Sequence, residues 1–306
     1  MRQGLSRWLG RVAALLRSSP VTGTRWFADL ESWRATRESL QAAEAQPRQA
    51  FTTGAIASAP VYCGLCAQRV TMVLPWVGTA TAPDLREGLC CPLCGLNARS
   101  RAVLGLVVAA LPDPDARIYL TEQASPVFVW LRRHYPQALG SEFMMTPSRK
   151  RDVEAWLHGQ GMPEAIALED VTALTHATAS LDAIGSFDVL EHVPEYWRAL
   201  SEFARVLKPG GDLWLTLPFI EDSATTLVRA RIDEHGGIEH LLPPEIHGDP
   251  LSDGVLCYYH FGWDLLDAVR SAGFVDAAWG RTWIPVQALF GVWTLHARRA
   301  PEASRH

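Results

Sequence analysis

Four cysteines of the chain fall into two pairs with the spacing of metal ligands. Cys63 and Cys66 form the first Cys-x-x-Cys pair, Cys91 and Cys94 form the second, and 24 residues separate the pairs. Each pair can present two sulfurs from one tight turn, and four thiolates satisfy the tetrahedral coordination of structural zinc. Cys90 adjoins the second pair, but only Cys91 gives the two-residue spacing. Because a four-cysteine site has no open position, the spacing predicts a zinc ion that supports folding rather than catalysis.

These cysteines could also be reduced buried thiols or form disulfide bonds. Nothing in the chain indicates an oxidising compartment, where disulfides persist, so zinc is the preferred interpretation. Arg99 and Arg101 follow the second pair and could hold an anionic group or form salt bridges to the neighbouring domain. We favour the salt bridges.

Two histidines are candidate general bases. His247 and His260 each lie in a tight glycine-containing context, in Glu-Ile-His-Gly-Asp and His-Phe-Gly-Trp, close to or at the end of the polar and aromatic segment of residues 219–259. Connections of that length are usually lids or binding segments, or contain further structure. An imidazole can accept a proton near neutral pH. The alternative for either residue is a solvated loop histidine.

Residues 180–218 contain the elements that must position a site. Residues 181–184 form a short apolar run, residues 197–207 have apolar side chains at helical spacing, and residues 213–217 form a second apolar run. Lys-Pro-Gly-Gly at residues 208–211 predicts the end of the helix. Two strands joined by a covering helix are normally parallel, and ligands bind at the carboxyl ends of such strands. The sequence therefore predicts a site directly after the first of these strands.

The same stretch resembles the fourth-to-fifth strand segment of class I S-adenosylmethionine-dependent methyltransferases. The matching features are Asp182, Asp-Val-Leu-Glu-His-Val at residues 188–193, an amphipathic helix, and Arg-Val-Leu-Lys-Pro-Gly-Gly at residues 205–211. The resemblance covers about residues 61–298. It implies an α/β fold with a Rossmann-like seven-stranded methyltransferase sheet, preceded by a zinc-ribbon module and a helical arm. The implied cofactors are S-adenosylmethionine and structural zinc.

The resemblance also implies the remaining strands. Residues 117–122, 138–143 and 165–170 correspond to the first three strands, and residues 126–135 to the first crossover helix. Residues 274–280 and 289–298 correspond to an antiparallel hairpin at the sheet edge. The cofactor-binding residues that match the family are Glu122, Glu142, Asp170, Val171, Ser186, Phe187 and Asp188.

Each of these residues has an implied role. Glu142 would accept hydrogen bonds from both ribose hydroxyls, for which a carboxylate has two oxygens. Asp170 would accept from the adenine amino group, with Val171 beside the ring. Glu169 is the alternative, and Asp170 is preferred because it comes at the strand end. Glu122 and residues 186–188 would shape the methionine end.

The loop between the first strand and its helix departs from the family pattern. It is glycine-rich in the family, because the backbone passes close to the cofactor, whereas residues 122–126 contain no glycine. A branch with a zinc ribbon carries an acidic residue here, which matches Glu122. A helix-entry role for Glu122 is the alternative.

Some small-molecule O-methyltransferases hold a divalent metal with an acidic-x-x-Glu-His pattern. Asp188, Glu191 and His192 fit that pattern. Glu-His-Val is also frequent at this place without metal, and we prefer the metal-free interpretation.

The charge and composition of the chain limit the partners and the cellular location that we expect for the protein. The net charge is −5 and the pI about 6.1, which argues against nucleic acid as a partner. No stretch approaches the roughly 20 apolar residues that a membrane span requires, and we expect a cytoplasmic protein. Residues 1–17 have an apolar helical face with arginines elsewhere. This pattern predicts a helix that packs on its own protein or a subunit, or lies peripherally on an anionic membrane.

The expected organisation is a helical arm and linker at residues 1–60, a zinc ribbon at 61–100 and a methyltransferase domain at 101–300. The expected function is S-adenosylmethionine-dependent methyl transfer to a small-molecule or saccharide-type acceptor, with His247 or His260 near the acceptor. The alternatives are a non-catalytic scaffold that keeps the fold, which the glycine-free loop favours, and an RNA methyltransferase.

Overall fold

The computed structural model describes residues 23–52, 60–72, 84–163, 165–248 and 254–301. The predicted helix at residues 1–17 lies outside the described residues. The chain divides into two compact units. Among the described residues, the first unit comprises 23–27, 31–52, 60–72, 84–110 and 280–294, and the second comprises 28–30, 111–163, 165–248, 254–279 and 295–301. The predicted division at residues 60 and 100 stays a prediction.

The described helices and strands have the following bounds. The α-helices are α1 Leu30–Thr52, α2 Ala98–Ala110, α3 Pro126–His134, α4 Pro147–Gly159, α5 Tyr196–Val206 and α6 Leu265–Ser271. The strands are β1 Gly23–Phe27, β2 Pro60–Cys63, β3 Gln68–Thr71, β4 Ile118–Leu120, β5 Leu139–Gly140, β6 Leu181–Phe187, β7 Leu207–Thr216, β8 Leu227–Val228, β9 Ala230–Ile232, β10 Ile238–His240, β11 Ile246–His247, β12 Val255–Leu256, β13 Tyr259–His260, β14 Phe274–Ile284 and β15 Leu289–Arg299. Short 3₁₀ turns lie at Leu190–His192 and Pro285–Gln287.

Seven strands form one sheet in the order β1-β14-β15-β7-β6-β4-β5. β4 pairs in parallel with β5 and β6, β6 pairs in parallel with β7, and β15 runs antiparallel to β7. β14 and β15 are neighbours with only four residues between them, a connection too short for parallel strands. The predicted α/β fold with a seven-stranded sheet is confirmed.

The helix between β6 and β7 forms as its pattern predicts. Its buried side chains share one face: Ala199, Leu200, Phe203, Ala204 and Val206. The strand after it begins earlier than predicted, because residues 208–211 belong to β7 instead of preceding it. Leu207 pairs with Leu181 and Asp212 with Ala183, so the four residues 208–211 of β7 lie opposite the single residue Asp182 of β6. Gly210 has a φ of +78°, which glycine adopts without a steric penalty, and Lys-Pro-Gly-Gly therefore forms a bulge in the strand.

The prediction that residues 165–170 form the third strand is wrong. Residues 165–170 make only an isolated parallel bridge between Leu168 and Glu142. The side chain of buried Gln123 donates to the Ala165 carbonyl and accepts from the Ala167 amide. A side chain therefore satisfies backbone groups that a continuous strand would use. The seventh place in the sheet is taken by β1, which the sequence did not reveal as a strand because it lies in the segment interpreted as a helical arm.

Residues 219–259 contain structure that the sequence left undefined. β8 pairs with β13, β9 with β10 and β11 with β12, all antiparallel. The pairs are two or three residues long, and β8 and β13 are far apart in the sequence. Contacts of Leu256 with His192 and of Tyr258 with Glu191 bring the segment to the end of β6. None of the described helices has the length and apolar character needed to cross a membrane.

Candidate functional site

The four paired cysteines converge in the first unit. Cys63 ends β2, which pairs with β3 across a tight turn, and the second knuckle closes when Gly95 donates to the Cys91 carbonyl at 2.8 Å. The sulfur atoms of all four lie within 4.8 Å of one another, and the sulfurs of Cys66 and Cys91 are 3.9 Å apart. Tetrahedral zinc with bonds of about 2.3 Å requires a sulfur separation of about 3.8 Å. The donor set and its spacing fit zinc.

One side of the four-cysteine cluster is buried in the core of the first unit. Cys63 and Cys91 are fully buried in a core that includes Trp283, Leu289 and Phe290. A hydrogen bond from the Cys94 thiol lowers the pKa of Cys63 to about 5, whereas burial raises the pKa of Cys66 to about 12. Cys63 is therefore the cysteine of this pair that more readily becomes a thiolate.

The arginines after the second knuckle have structural partners. Arg99 donates from Nε to Glu87 at 2.8 Å. Arg101 is 3% exposed and donates to the backbone carbonyls of Leu89, Gln287 and Ala288. Arg99 thus forms a salt bridge as preferred, though within the first unit, and Arg101 serves carbonyl groups instead.

In the second unit, the loop after β4 meets the end of β5. Ser125 caps α3 by accepting from the Phe128 amide at 3.1 Å, and Pro126 occupies the first turn. The amide of Ala124 donates to the carboxylate of Glu142 at 2.5 Å, and Glu142 is 8% exposed. Glu122 begins this loop and is partly exposed. The glycine-free loop therefore folds around a carboxylate that stands just beyond a parallel strand.

The end of β6 is tied to its neighbours by hydroxyl groups. Thr121 donates to the buried Ser186 hydroxyl at 3.1 Å, and Phe187 is 2% exposed. Asp188 has a φ of +56°, an uncommon conformation for a residue other than glycine, and accepts from the Thr216 hydroxyl at 3.0 Å. Backbone conformations of this kind are often found at functional sites.

The backbone just before Asp170 and Val171 is hydrogen bonded to Glu142. The Glu142 amide donates to the Ala167 carbonyl and the Glu169 amide to the Glu142 carbonyl, both at 2.9 Å. Asp170 is exposed, and one of its oxygens accepts from the amide and hydroxyl of Thr172. Of the predicted cofactor residues, the structure brings Glu122, Glu142 and Asp170 to one end of the parallel strands, where β6 also ends. Carboxylates there suit the hydroxyl and amino donors of a nucleoside.

Both candidate histidines hydrogen bond to one carboxylate. The Oε1 atom of Glu245 lies 2.9 Å from Nε2 of His247 and 2.9 Å from Nε2 of His260. Arg229 lies 3.2 Å from the other oxygen. The hydrogen bond with His247, followed by that with His260, lowers the pKa of Glu245 to about 2. Glu245 therefore remains ionised and orients two imidazoles.

The histidines are brought to the end of β6 by the 3₁₀ turn that follows it. Glu191 is fully buried, and its Oε1 lies 3.8 Å from Nε2 of His192 and 3.9 Å from Nδ1 of His247. The amide of Tyr258 donates to the Glu191 carbonyl, and Nδ1 of His192 lies 2.8 Å from the Leu256 carbonyl.

Asp188 is absent from the metal-capable groups found among the described residues, so the structure does not assemble the pattern with Glu191 and His192. Sequence reasoning missed Glu245. The signal was the alternation Glu245-x-His247, which places both side chains on one face of a strand.

Residues 129–215 match the family described as methyltransferase domain. No curated protein sequence matches the chain. Among solved structures, the 1,6-didemethyltoxoflavin-N1-methyltransferase of Burkholderia thailandensis is 17% identical, with a TM-score of 0.41 and coverage of 66% of this chain and 79% of that chain. An S-adenosylmethionine-dependent methyltransferase from Mesorhizobium loti is 18% identical, with a TM-score of 0.41 and coverage of 64% and 96%. The cyclase SpnF is 16% identical, with a TM-score of 0.45 and coverage of 66% and 82%.

The domain match and the seven-stranded sheet confirm the predicted S-adenosylmethionine-dependent methyltransferase fold. Residues 129–215 thus match a methyltransferase domain, in agreement with the predicted methyltransferase.

Proposed function

We propose that the chain transfers the methyl group of S-adenosylmethionine to a hydroxyl or amine of a small-molecule or saccharide-type acceptor. The observation that carries the proposal is the buried Glu142 carboxylate, which stands beyond β5 and is held by the Ala124 amide. The parallel strands β5 and β6 end at the same edge of the sheet, so the histidines beyond β6 share that edge.

In this proposal, the residues around Glu142 bind the cofactor. Glu142 accepts from the ribose hydroxyls, and Asp170 with Val171 contacts the adenine. Glu122 and residues 186–188 surround the methionine end. Bound S-adenosylmethionine supplies a methyl group already activated by its sulfonium, so the main task of the protein is in-line positioning.

In the proposed reaction, His247 or His260 accepts the proton that the acceptor loses. Both imidazoles are fixed at Nε2 by Glu245, and their side chains are 30% and 23% exposed, so an acceptor can reach them. A hydroxyl or amine becomes a better nucleophile as its proton leaves.

The four-cysteine cluster is proposed to hold structural zinc. Its sulfur spacing and burial support this proposal.

The role of residues 1–17 as a subunit or membrane contact stays a prediction.

Titration of the purified chain with S-adenosylmethionine by calorimetry tests the cofactor site. Glu142→Ala should weaken binding at least about tenfold, because hydrogen bonds to a charged group contribute about 1.5–3 kcal/mol each. Asp170→Ala should weaken binding as well. Glu195→Ala is the matched control, because Glu195 is 51% exposed and pairs only with Arg198 among the salt bridges found. Equal affinities in all variants would refute the assignment.

A further inference from the structure

Four side chains of the second unit converge outside the proposed cofactor site. One ligand atom each from Glu245, His247, Cys257 and His260 lies within 4.8 Å of all the others. We propose that this cluster binds a divalent transition-metal ion of the zinc class, separately from the four-cysteine site. The site includes the two proposed acceptor-side histidines, and it deepens the proposed function by naming how they act.

The donor atoms already point at a common position. Nε2 of His247 and Nε2 of His260 both face Oε1 of Glu245 at 2.9 Å. Ligand atoms around tetrahedral zinc with bonds of about 2.1 Å lie about 3.4 Å apart. Small side-chain movements would therefore admit an ion between the three atoms. Imidazole, carboxylate and thiolate are the ligand types that zinc takes in proteins.

The backbone presents the ligands in a fixed arrangement. Glu245 and His247 alternate on one face, at and just before β11, and Cys257 directly follows β12, the partner of β11. The Cys257 amide donates to the Glu245 carbonyl at 2.8 Å, and this contact joins the two halves of the site. His260 lies three residues further on, in β13. The ligands thus come from paired strands rather than from a single flexible loop.

Burial gives the cluster a closed side and an open side. Cys257 is fully buried, whereas Glu245, His247 and His260 are 33%, 30% and 23% exposed. An ion held by these residues would be anchored from below and remain accessible from solvent. Four protein ligands complete a tetrahedral sphere, so an acceptor would reach this ion only as a fifth ligand from the exposed side, an expansion that zinc permits.

The segment that carries the ligands buries Tyr258 and Tyr259 but leaves many of its apolar side chains exposed. Its exposed apolar side chains are Leu227, Val228, Ile232, Ile238, Leu241 and Ile246, each at least 38% exposed. Metal binding contributes directly to the stability of small elements that lack a core. A bound ion would therefore stabilise the short strand pairs of this segment as well as supply a charge.

The consequence for the reaction rests on the proposed function. An ion held by the cluster would lower the pKa of an acceptor hydroxyl bound to it, and the proton would pass to water. His247 and His260 would then assist this loss as ligands of the ion, which replaces direct acceptance of the proton by their imidazoles.

Metal analysis of the full chain, purified with zinc, tests the site. Wild-type protein should contain about two zinc ions per chain, and His247→Ala and His260→Asn should each contain about one. The matched control is His240→Ala, which removes an exposed histidine of the same segment and should keep both ions. Unchanged zinc in both cluster variants would overturn the proposal.

Cobalt titration of the metal-free chain covers the case of variants that fail to fold. Two binding events should be seen in the wild type, one of which loses its thiolate-to-cobalt band in Cys257→Ser. One event of unchanged intensity would overturn the site. Metal content is measured without turnover and does not depend on the S-adenosylmethionine titration. A failure of the metal-site proposal can therefore be distinguished from a failure of the proposed methyl transfer.

Discussion

At the scale of single residues, partners decide what each side chain can do. Glu245 orients both histidines, while Glu191, buried behind them, lies within 4 Å of His192 and His247. The sequence identifies the histidines by their glycine contexts. It does not identify Glu245 as their shared partner, because that contact depends on the pairing of β11 with β12 and of β13 with β8.

The two adjacent cysteines should differ in metal binding. Cys91→Ser should lose the zinc of the four-cysteine site, because Cys91 contributes one of the four converging sulfurs. Cys90→Ser should keep it, since the Cys90 thiol is directed to the Glu87 carbonyl at 3.7 Å. Metal analysis of the two variants measures this difference. Equal zinc content in both would contradict the ligand assignment.

Asp182 should make stability depend on pH. Burial opposes its charge, but hydrogen bonds from Lys208 and the Arg117 amide outweigh burial and lower the pKa of Asp182 below its usual 3.8. A lowered folded-state pKa means that the stabilisation is present above pH 3.8 and is lost as the pH falls through the folded value.

Asp182→Asn should therefore reduce the free energy of unfolding by about 1 kcal/mol at pH 7, and this difference should shrink below pH 4. Denaturant unfolding across this pH range measures it. Asp267→Asn is the control, because Asp267 is 79% exposed and its pair with Arg270 should contribute little. A cost for Asp182→Asn that grows on acidification would contradict the sign.

At the scale of elements, local signals predict helices better than strands. The capping residue and the opening proline of α3 are visible in the sequence, and its predicted start at Pro126 is confirmed. The third strand is missing because the Gln123 side chain occupies its backbone groups, a long-range contact that no local pattern reveals. The bulge at residues 208–211 likewise depends on the partner strand.

The cap of α3 should be measurable by itself. Ser125→Ala should destabilise the protein by about 1 kcal/mol, since it removes the side-chain acceptor for the Phe128 amide. Ser201 lies within α5 at an exposed position. Ser201→Ala should be neutral or slightly stabilising, because alanine has a higher helix propensity than serine. Thermal unfolding compares the two. A larger loss for Ser201→Ala would contradict the cap assignment.

At the scale of the whole molecule, the predicted number of strands is confirmed but their identity is not. The sheet reaches seven strands with β1 in place of the expected third strand. Composition and hydrophobic pattern predict a layered α/β fold, because they reflect burial. They do not predict which segment completes an edge, because an edge strand such as β1 is short and only partly buried.

Binding of S-adenosylmethionine to the wild-type chain is the most direct test of the account, because the glycine-free loop of residues 122–126 is its largest departure from the family. Calorimetry on folded, zinc-loaded protein should show one saturable site per chain. Absence of binding under those conditions would contradict a methyltransferase function and would leave a scaffold that retains only the fold.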